Sequence, residues 1–235
     1  MNKIILITGG TSGIGKELAK MLLDDKVIVT YNTNKEEAEK LRNYNIDSYK
    51  CDLSNEEEIR NLYDLIIEKY KKIDVLINNA AIAIDTLFED KTKNNFIKTI
   101  EVNLIGTFLM SKYFGQKMYE NKCGKIINIS STNGIDTNYP MSIDYDASKA
   151  GVISLTKNLA IQFAPYVNVN TIAPGWVNTE MNKELDSDFI EEENKKILLG
   201  RFAEPYEIAN VCKFLISDDA NYINNTIIRV DGGKC

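Results

Sequence analysis

The chain has 235 residues, a formal net charge of −6 and no histidine. That length suits one large domain over residues 1–235 with an ample core, and the acidic balance argues against nucleic acid or an anionic membrane surface as the main partner. Without histidine there is no Ser-His-Asp or Cys-His nucleophile and no His-ligated metal site, so no metal is expected, and acid–base work near neutral pH falls to perturbed Tyr, Lys, Cys or carboxyl groups.

Lys3 to Thr8 is the first strand candidate, and the apolar part of this start is too short for a signal peptide. It runs into Thr8-Gly9-Gly10-Thr11-Ser12-Gly13-Ile14-Gly15, followed by helix-forming Lys16 to Ala19. Glycines at 9, 13 and 15 let the backbone turn sharply and approach a pyrophosphate at a helix N-terminus, where the dipole favours an anion. The strand before and the helix after favour nucleotide binding over an ordinary tight turn. The second strand, Lys26 to Tyr31, leads into Asn32-Thr33-Asn34-Lys35 with no carboxylate before Glu36. NAD use calls for an acidic side chain there, whereas Lys35 with Thr30, Asn32 and Asn34 suits a 2'-phosphate, so NADP is expected over NAD.

Ser48 to Lys50 forms the third strand candidate, and Asp52 behind it is a plausible helix N-cap. Leu18, Met21, Leu22 and then Ile59, Leu62, Leu65, Ile66 have helical spacing. Ile73 to Asn78 contains Val75-Leu76-Ile77, the signature of a strand buried on both faces. A long helical pattern from Asn94 to Tyr119 carries Asn103 in its middle, a poor helix former whose placement hints at function. Lys125 to Ser130, Asn168 to Ile172 and Thr226 to Val230 complete the strands. Strand–helix alternation of this kind predicts a doubly wound α/β fold, a parallel sheet with helices on both faces. Glu180 to Leu199 mixes charge with Met181, Leu185, Phe189 and Ile190, which fits an amphipathic helix with a solvated face or a mobile lid. No apolar run approaches the roughly 18 residues of a membrane span. Cys51, Cys123, Cys212 and Cys235 form no CxxC spacing and suit a reducing compartment, so a soluble cytoplasmic protein is expected.

Tyr145 and Lys149 lie four residues apart and downstream of Ser131. On a helix they share a face, so phenol and ammonium can converge. Unit charges about 4 Å apart interact by roughly 4 kcal/mol at an effective dielectric of about 20. That would bring a tyrosine from about 10 toward neutrality, ready to exchange a proton with a substrate oxygen. Asp144 and Asp146 flank it and are expected to be largely solvated, since neighbouring helical residues point about 100° apart.

With the glycine turn, Asn78-Asn79-Ala80, Ser131, Tyr145 and Lys149, the chain resembles the short-chain dehydrogenase/reductase family from Ile4 to Val230-Asp231-Gly232-Gly233. Leu199-Gly200-Arg201-Phe202 and Ile228-Arg229-Val230 are most similar to the beta-ketoacyl-acyl carrier protein reductases. The resemblance implies a Rossmann-type sheet of seven parallel strands with the cofactor across their C-terminal edges. It implies that Tyr145 protonates a carbonyl oxygen as hydride arrives, that Lys149 holds the nicotinamide ribose, and that Ser131 bonds the carbonyl. Asn103 would fix a water relaying protons to Lys149. Cofactor contacts are implied for Gly9, Thr11, Ser12, Gly13, Ile14, Gly15, Tyr31, Asn32, Lys35, Asp52 (to adenine), Leu53, Asn78, Asn79, Ala80, Pro174, Gly175, Val177 and Thr179. The implied substrate is a small-molecule carbonyl or an acyl thioester. An NAD-dependent dehydrogenase of a sugar or polyol is the alternative, and a non-enzymatic dinucleotide-binding protein a more distant one.

Four departures stand out. Ala81 replaces a glycine, the Ser131 to Tyr145 interval is one residue longer than the family pattern, and acidic residues flank the tyrosine. The stretch matching the carrier-protein docking segment, Phe163 to Asn168, has no arginine, leaving Lys122 and Lys125 near the other docking position. Gly106, Gly115 and Gly151 permit close helix approach, either within the chain or across the subunit interfaces of a homotetramer or dimer.

Overall fold

The computed structural model describes residues 3–233, so Met1 and Asn2 of the N-terminal stretch and Cys235 of the cysteine set lie outside the described residues. Strand β1 (Ile4–Ile7) shows how one short apolar run serves two cores. Ile5 and Ile7 pack with Leu18, Val27, Val29, Ile208 and Leu215. Leu6 packs in a second cluster with Ile28, Ile59, Ile66, Phe114 and Phe163. Successive strand side chains point to opposite faces, so a sheet buried on both sides needs uninterrupted apolar residues.

The chain continues through α1 (Gly13–Met21), β2 (Lys26–Tyr31), α2 (Lys35–Leu41), β3 (Asp47–Lys50), α3 (Glu56–Tyr70) and β4 (Val75–Asn78). Then come α4 (Lys93–Ile100), α5 (Gly106–Glu120), β5 (Gly124–Ile129), α6 (Ile143–Gln162) and β6 (Val167–Pro174). Helices α7 (Ser187–Lys195) and α8 (Pro205–Ile216) precede β7 (Ile227–Val230). The sheet order is β3-β2-β1-β4-β5-β6-β7 with every pair parallel, the expected doubly wound arrangement. All seven strand segments read from the sequence are strands. Chain direction across the sheet reverses between β1 and β4, which opens a crevice beyond their C-terminal ends.

Local chemistry sets the helix starts. Asn55 caps α3, its Oδ1 accepting from the N–H groups of Glu57 and Glu58 at 3.0 and 3.3 Å, and three acidic residues fill the first turn. Thr92 and Asn95 form a capping box on α4. Two sequence expectations are corrected. The pattern from Asn94 to Tyr119 is not one continuous α-helix: a π-helical turn, Glu101–Ile105, separates α4 from α5 and contains Asn103. The stretch from Glu180 to Leu199 is a 3₁₀ turn, Glu180–Asn182, followed by α7. Gly106 and Gly151 make their close approaches within the chain, since an added Cβ would lie 2.8 Å from Leu53 O and 2.7 Å from Leu104 Cδ2. Among the described residues no helix is long and apolar enough to cross a membrane.

Candidate active site

A cleft of about 360 Å³ runs across the C-terminal ends of the central strands. At one end lies the glycine turn between β1 and α1. Gly9 (φ +65°) sits so close to β4 that a Cβ would fall 2.9 Å from Ala80 Cα, and Gly13 (φ +48°) also takes a left-handed backbone. Gly15 lies beneath the cleft rather than in its lining; a Cβ there would be 2.5 Å from both Asn79 Nδ2 and Gly9 O. Asn79 staples the turn, donating from Nδ2 to Thr8 O (3.0 Å) and Gly9 O (3.1 Å). Thr8 Oγ1 in return accepts from the N–H groups of Asn79 and Ala80, both at 3.0 Å. Ser12, the N-cap of α1, makes no side-chain cap, and Gly13 N–H donates to Glu180 Oε2 at 3.2 Å. The cradle therefore already attracts an anion, and a dinucleotide pyrophosphate fits its chemistry.

Most expected cofactor residues line this cleft: Gly9, Thr11, Ser12, Gly13, Ile14, Tyr31, Asn32, Asp52, Leu53, Asn79, Ala80, Pro174, Gly175, Val177 and Thr179, with Tyr145, Lys149 and Ser131 at the far end. Two do not. Asn78 is buried beneath the sheet, donating to Ser111 Oγ (3.0 Å) and Asn128 Oδ1 (2.8 Å). Lys35 is an exposed first-turn residue of α2, 3.7 Å from Glu39, because its helical direction carries it away from the crevice. The cation that the sequence argument missed is Lys98, which lines the cleft, donates to Ser54 Oγ at 2.8 Å and lies 3.8 Å from Asp52. Val102 lines it too, and the i,i+4 relation of these two within the helical pattern was the available signal. Asp52 is not the α3 cap; its Oδ1 accepts from Ser54 N–H (2.9 Å) and Ser54 Oγ (2.7 Å). Burial pushes its carboxyl up, but those hydrogen bonds and Lys98 outweigh burial and hold it below the ordinary value. Cys51 lines the cleft as a buried thiol pushed up to about 12 by desolvation and nearby carboxylates, which makes it no nucleophile.

At the opposite end α6 brings Tyr145 and Lys149 under the ends of β5 and β6. Lys149, 2% exposed, donates from Nζ to Ile129 O at 2.8 Å and lies 5.3 Å from the Tyr145 ring centroid. Burial lowers it to about 8. The expected lowering of Tyr145 is corrected: its pKa is raised, first by burial and then by Asp146, against a lowering hydrogen bond with Ser131. The ammonium faces the ring and is bonded to a carbonyl, so desolvation dominates at the hydroxyl.

The flanking carboxylates are drawn from solvent more than expected, Asp144 fully and Asp146 in part. Asp144 is 0% exposed, 2.9 Å from Lys91 Nζ and accepting from Thr99 Oγ1 at 2.7 Å. Asp146 accepts from Asn133 Nδ2 (2.6 Å) and Tyr139 N–H (2.9 Å). Asn103, also buried, does not line the cleft. Its Oδ1 accepts from Ile82 N–H (2.8 Å), and its Nδ2 donates to Ile82 O (2.9 Å) and Ser148 Oγ (3.1 Å). The side chain thus ties the loop after β4 to α6, and the π turn aims it there. Beyond Tyr145 the cleft meets a smaller chamber of about 80 Å³. Lys125, expected near a docking position, is buried and donates to the carbonyls of Leu215 (3.4 Å) and Ser217.

With this geometry in place, a family model described as Enoyl-(Acyl carrier protein) reductase matches residues 9–234. The 3-oxoacyl-(acyl-carrier-protein) reductase FabG of Rickettsia felis is 40% identical over 98% of this chain and 96% of that protein. The NAD-dependent glycerol dehydrogenase of Listeria innocua serovar 6a is 34% identical over 99% and 93%. The solved structure described as ElxO with NADP bound has a TM-score of 0.91 and 33% identity, covering 99% of this chain and 98% of its own.

Proposed function

The chain belongs to the short-chain dehydrogenase/reductase family and is an oxidoreductase; from that premise we propose that it reduces a carbonyl to an alcohol, with Tyr145 as proton donor and NADP as cofactor. The observation that carries this is the meeting of Ser131, Tyr145 and Lys149 at one end of a cleft whose other end is an anion-accepting glycine turn. Reduced nicotinamide, when bound, supplies the hydride to the carbonyl carbon. Tyr145, whose raised pKa keeps it a neutral phenol at physiological pH, hands its proton to the carbonyl oxygen. Ser131 bonds that hydroxyl and positions the oxygen beside it. Lys149, charged below about pH 8, offsets the negative charge left on the phenolate. Asn103 is a positioning residue that holds Ile82 and Ser148.

NADP is favoured because no carboxylate from β2 or the Asn32–Asn34 segment lines the cleft, while Lys98 does. The relative described with NADP bound points the same way. A second reading, oxidation of a small polyol with NAD, draws support from the relative named a glycerol dehydrogenase. A 3-oxoacyl thioester substrate, the wording of the FabG relative's name, gains no support from Lys125, which is buried. A cytoplasmic homotetramer fits the exposed Phe96, Ile97, Ile105 and Phe108 on α4, the π turn and α5. The decisive experiment is Tyr145→Phe assayed with NADPH and a carbonyl panel: turnover should vanish while dinucleotide affinity stays within about threefold, and full activity would refute the proton donor.

A further inference from the structure

The chamber beyond Tyr145 is small, walled by aromatic rings and carries a single sign of charge. Its volume is about 80 Å³. At roughly 10–15 Å³ per water-sized position it holds about five to eight non-hydrogen atoms. Trp176 and Tyr139 form one wall, their centroids 5.8 Å apart. That wall is braced: Phe202 stacks on Trp176 at 5.5 Å, Phe189 of α7 packs edge-on at 5.6 Å, and Trp176 Nε1 donates to Glu193 Oε2 at 2.8 Å. Enlarging the chamber on this side means unstacking three rings. Among the lining residues the one charged side chain is Asp85, at the exposed mouth, with Ser142 Oγ donating to its Oδ1. Its second oxygen is an acceptor and nothing more.

We propose that the substrate is a small neutral α-hydroxy ketone of about five to eight non-hydrogen atoms, whose hydroxyl donates to Asp85 while its carbonyl meets Tyr145 and Ser131. This rests on the carbonyl reduction proposed above. The carboxylate repels an anionic substrate and rewards a hydroxyl donor, and the braced wall closes the ring side of the chamber to a long acyl tail, which would have to run out past Asp85 into solvent. The reaction balances: hydride joins the carbonyl carbon, the π pair goes to oxygen, Tyr145 supplies the proton, and the product is a vicinal diol with oxidised dinucleotide.

The test compares hydroxyacetone with 2-butanone, which has the same number of non-hydrogen atoms but no hydroxyl, and with the N-acetylcysteamine thioester of acetoacetate. Hydroxyacetone should exceed both in kcat/KM by about tenfold, the worth of one charge-assisted hydrogen bond. Asp85→Asn should lower kcat/KM for hydroxyacetone about tenfold more than for 2-butanone. A preference for the thioester, or equal losses on both ketones in Asp85→Asn, would overturn the inference. If thioester turnover dominates and Tyr145→Phe abolishes it, only the chamber inference falls. If no carbonyl is reduced at all, the proposed reduction falls and this inference with it.

Discussion

Lys149→Met removes the charge from a side chain that is 2% exposed and has a backbone carbonyl, Ile129 O, as its hydrogen-bond acceptor at 2.8 Å. Burial depresses the ammonium from 10.5 to about 8, a displacement equivalent to roughly 3 kcal/mol of destabilisation at neutral pH. Losing the hydrogen bond to Ile129 O gives back about 1 kcal/mol, so the variant should be more stable at pH 7 by about 2 kcal/mol. For a chain of this size that is a rise in Tm of about 4–8 °C. Because the folded value is the lower one, the unfolded chain holds more protons between about pH 8 and 10.5. Wild-type stability therefore rises by about 3 kcal/mol through that window, so the variant's advantage disappears within it and becomes a deficit of about 1 kcal/mol, the missing hydrogen bond, at its upper end. Urea melts at pH 7 and pH 10, paired with an activity assay, would read both effects: higher stability at pH 7 with turnover lost. In the wild type, reduction should decline above about pH 8 as the cation is lost. A variant less stable at pH 7, or equally advantaged at both pH values, would refute the view that Lys149 is a desolvated charge kept for function.

Two further outcomes follow from the same geometry. Lys98→Glu should raise the Kd for NADPH about tenfold more than that for NADH in fluorescence titrations, whereas Lys35→Glu should change both by less than about threefold; discrimination by Lys35 instead would restore the expectation drawn from sequence. Lys91→Met strands Asp144 with no countercharge in a site that is 0% exposed, and should cost about 3–5 kcal/mol in denaturant unfolding. Adding Asp144→Leu should recover most of that loss, and a single-variant cost below about 1 kcal/mol would mean that water reaches the pair.

The strands, their order along the chain and the glycine turn were legible because each depends on local composition: apolar runs for buried strands, and glycine where the backbone needs a positive φ or a close approach. Tyr145 and Lys149 were legible because their four-residue spacing is a helical property. What escaped was set by tertiary surroundings. Lys35 and Lys98 are both lysines near helix starts or ends, and only the packing of α2 and α4 decides which one meets the cleft. Asp144 gave no local sign that Lys91, 53 residues away, would follow it into the interior. The sign of the Tyr145 shift failed for a related reason. Pair spacing speaks to Coulomb attraction, whereas desolvation depends on everything packed around the hydroxyl. Asn103 stands out in the sequence as a poor helix former and lies in a π turn, but its partners, Ile82 and Ser148, belong to a loop and another helix and left no local sign.

Strand β1 hands Ile5 and Ile7 to one hydrophobic layer and Leu6 to the other, and two residues later the chain bends at Gly9. A slip of one position in its pairing would exchange both layers at once and rotate the bend by half a turn. Interior packing and the geometry of the anion cradle are thereby locked to a common register. Any change that misaligned the cradle through this strand would announce itself first as a folding defect.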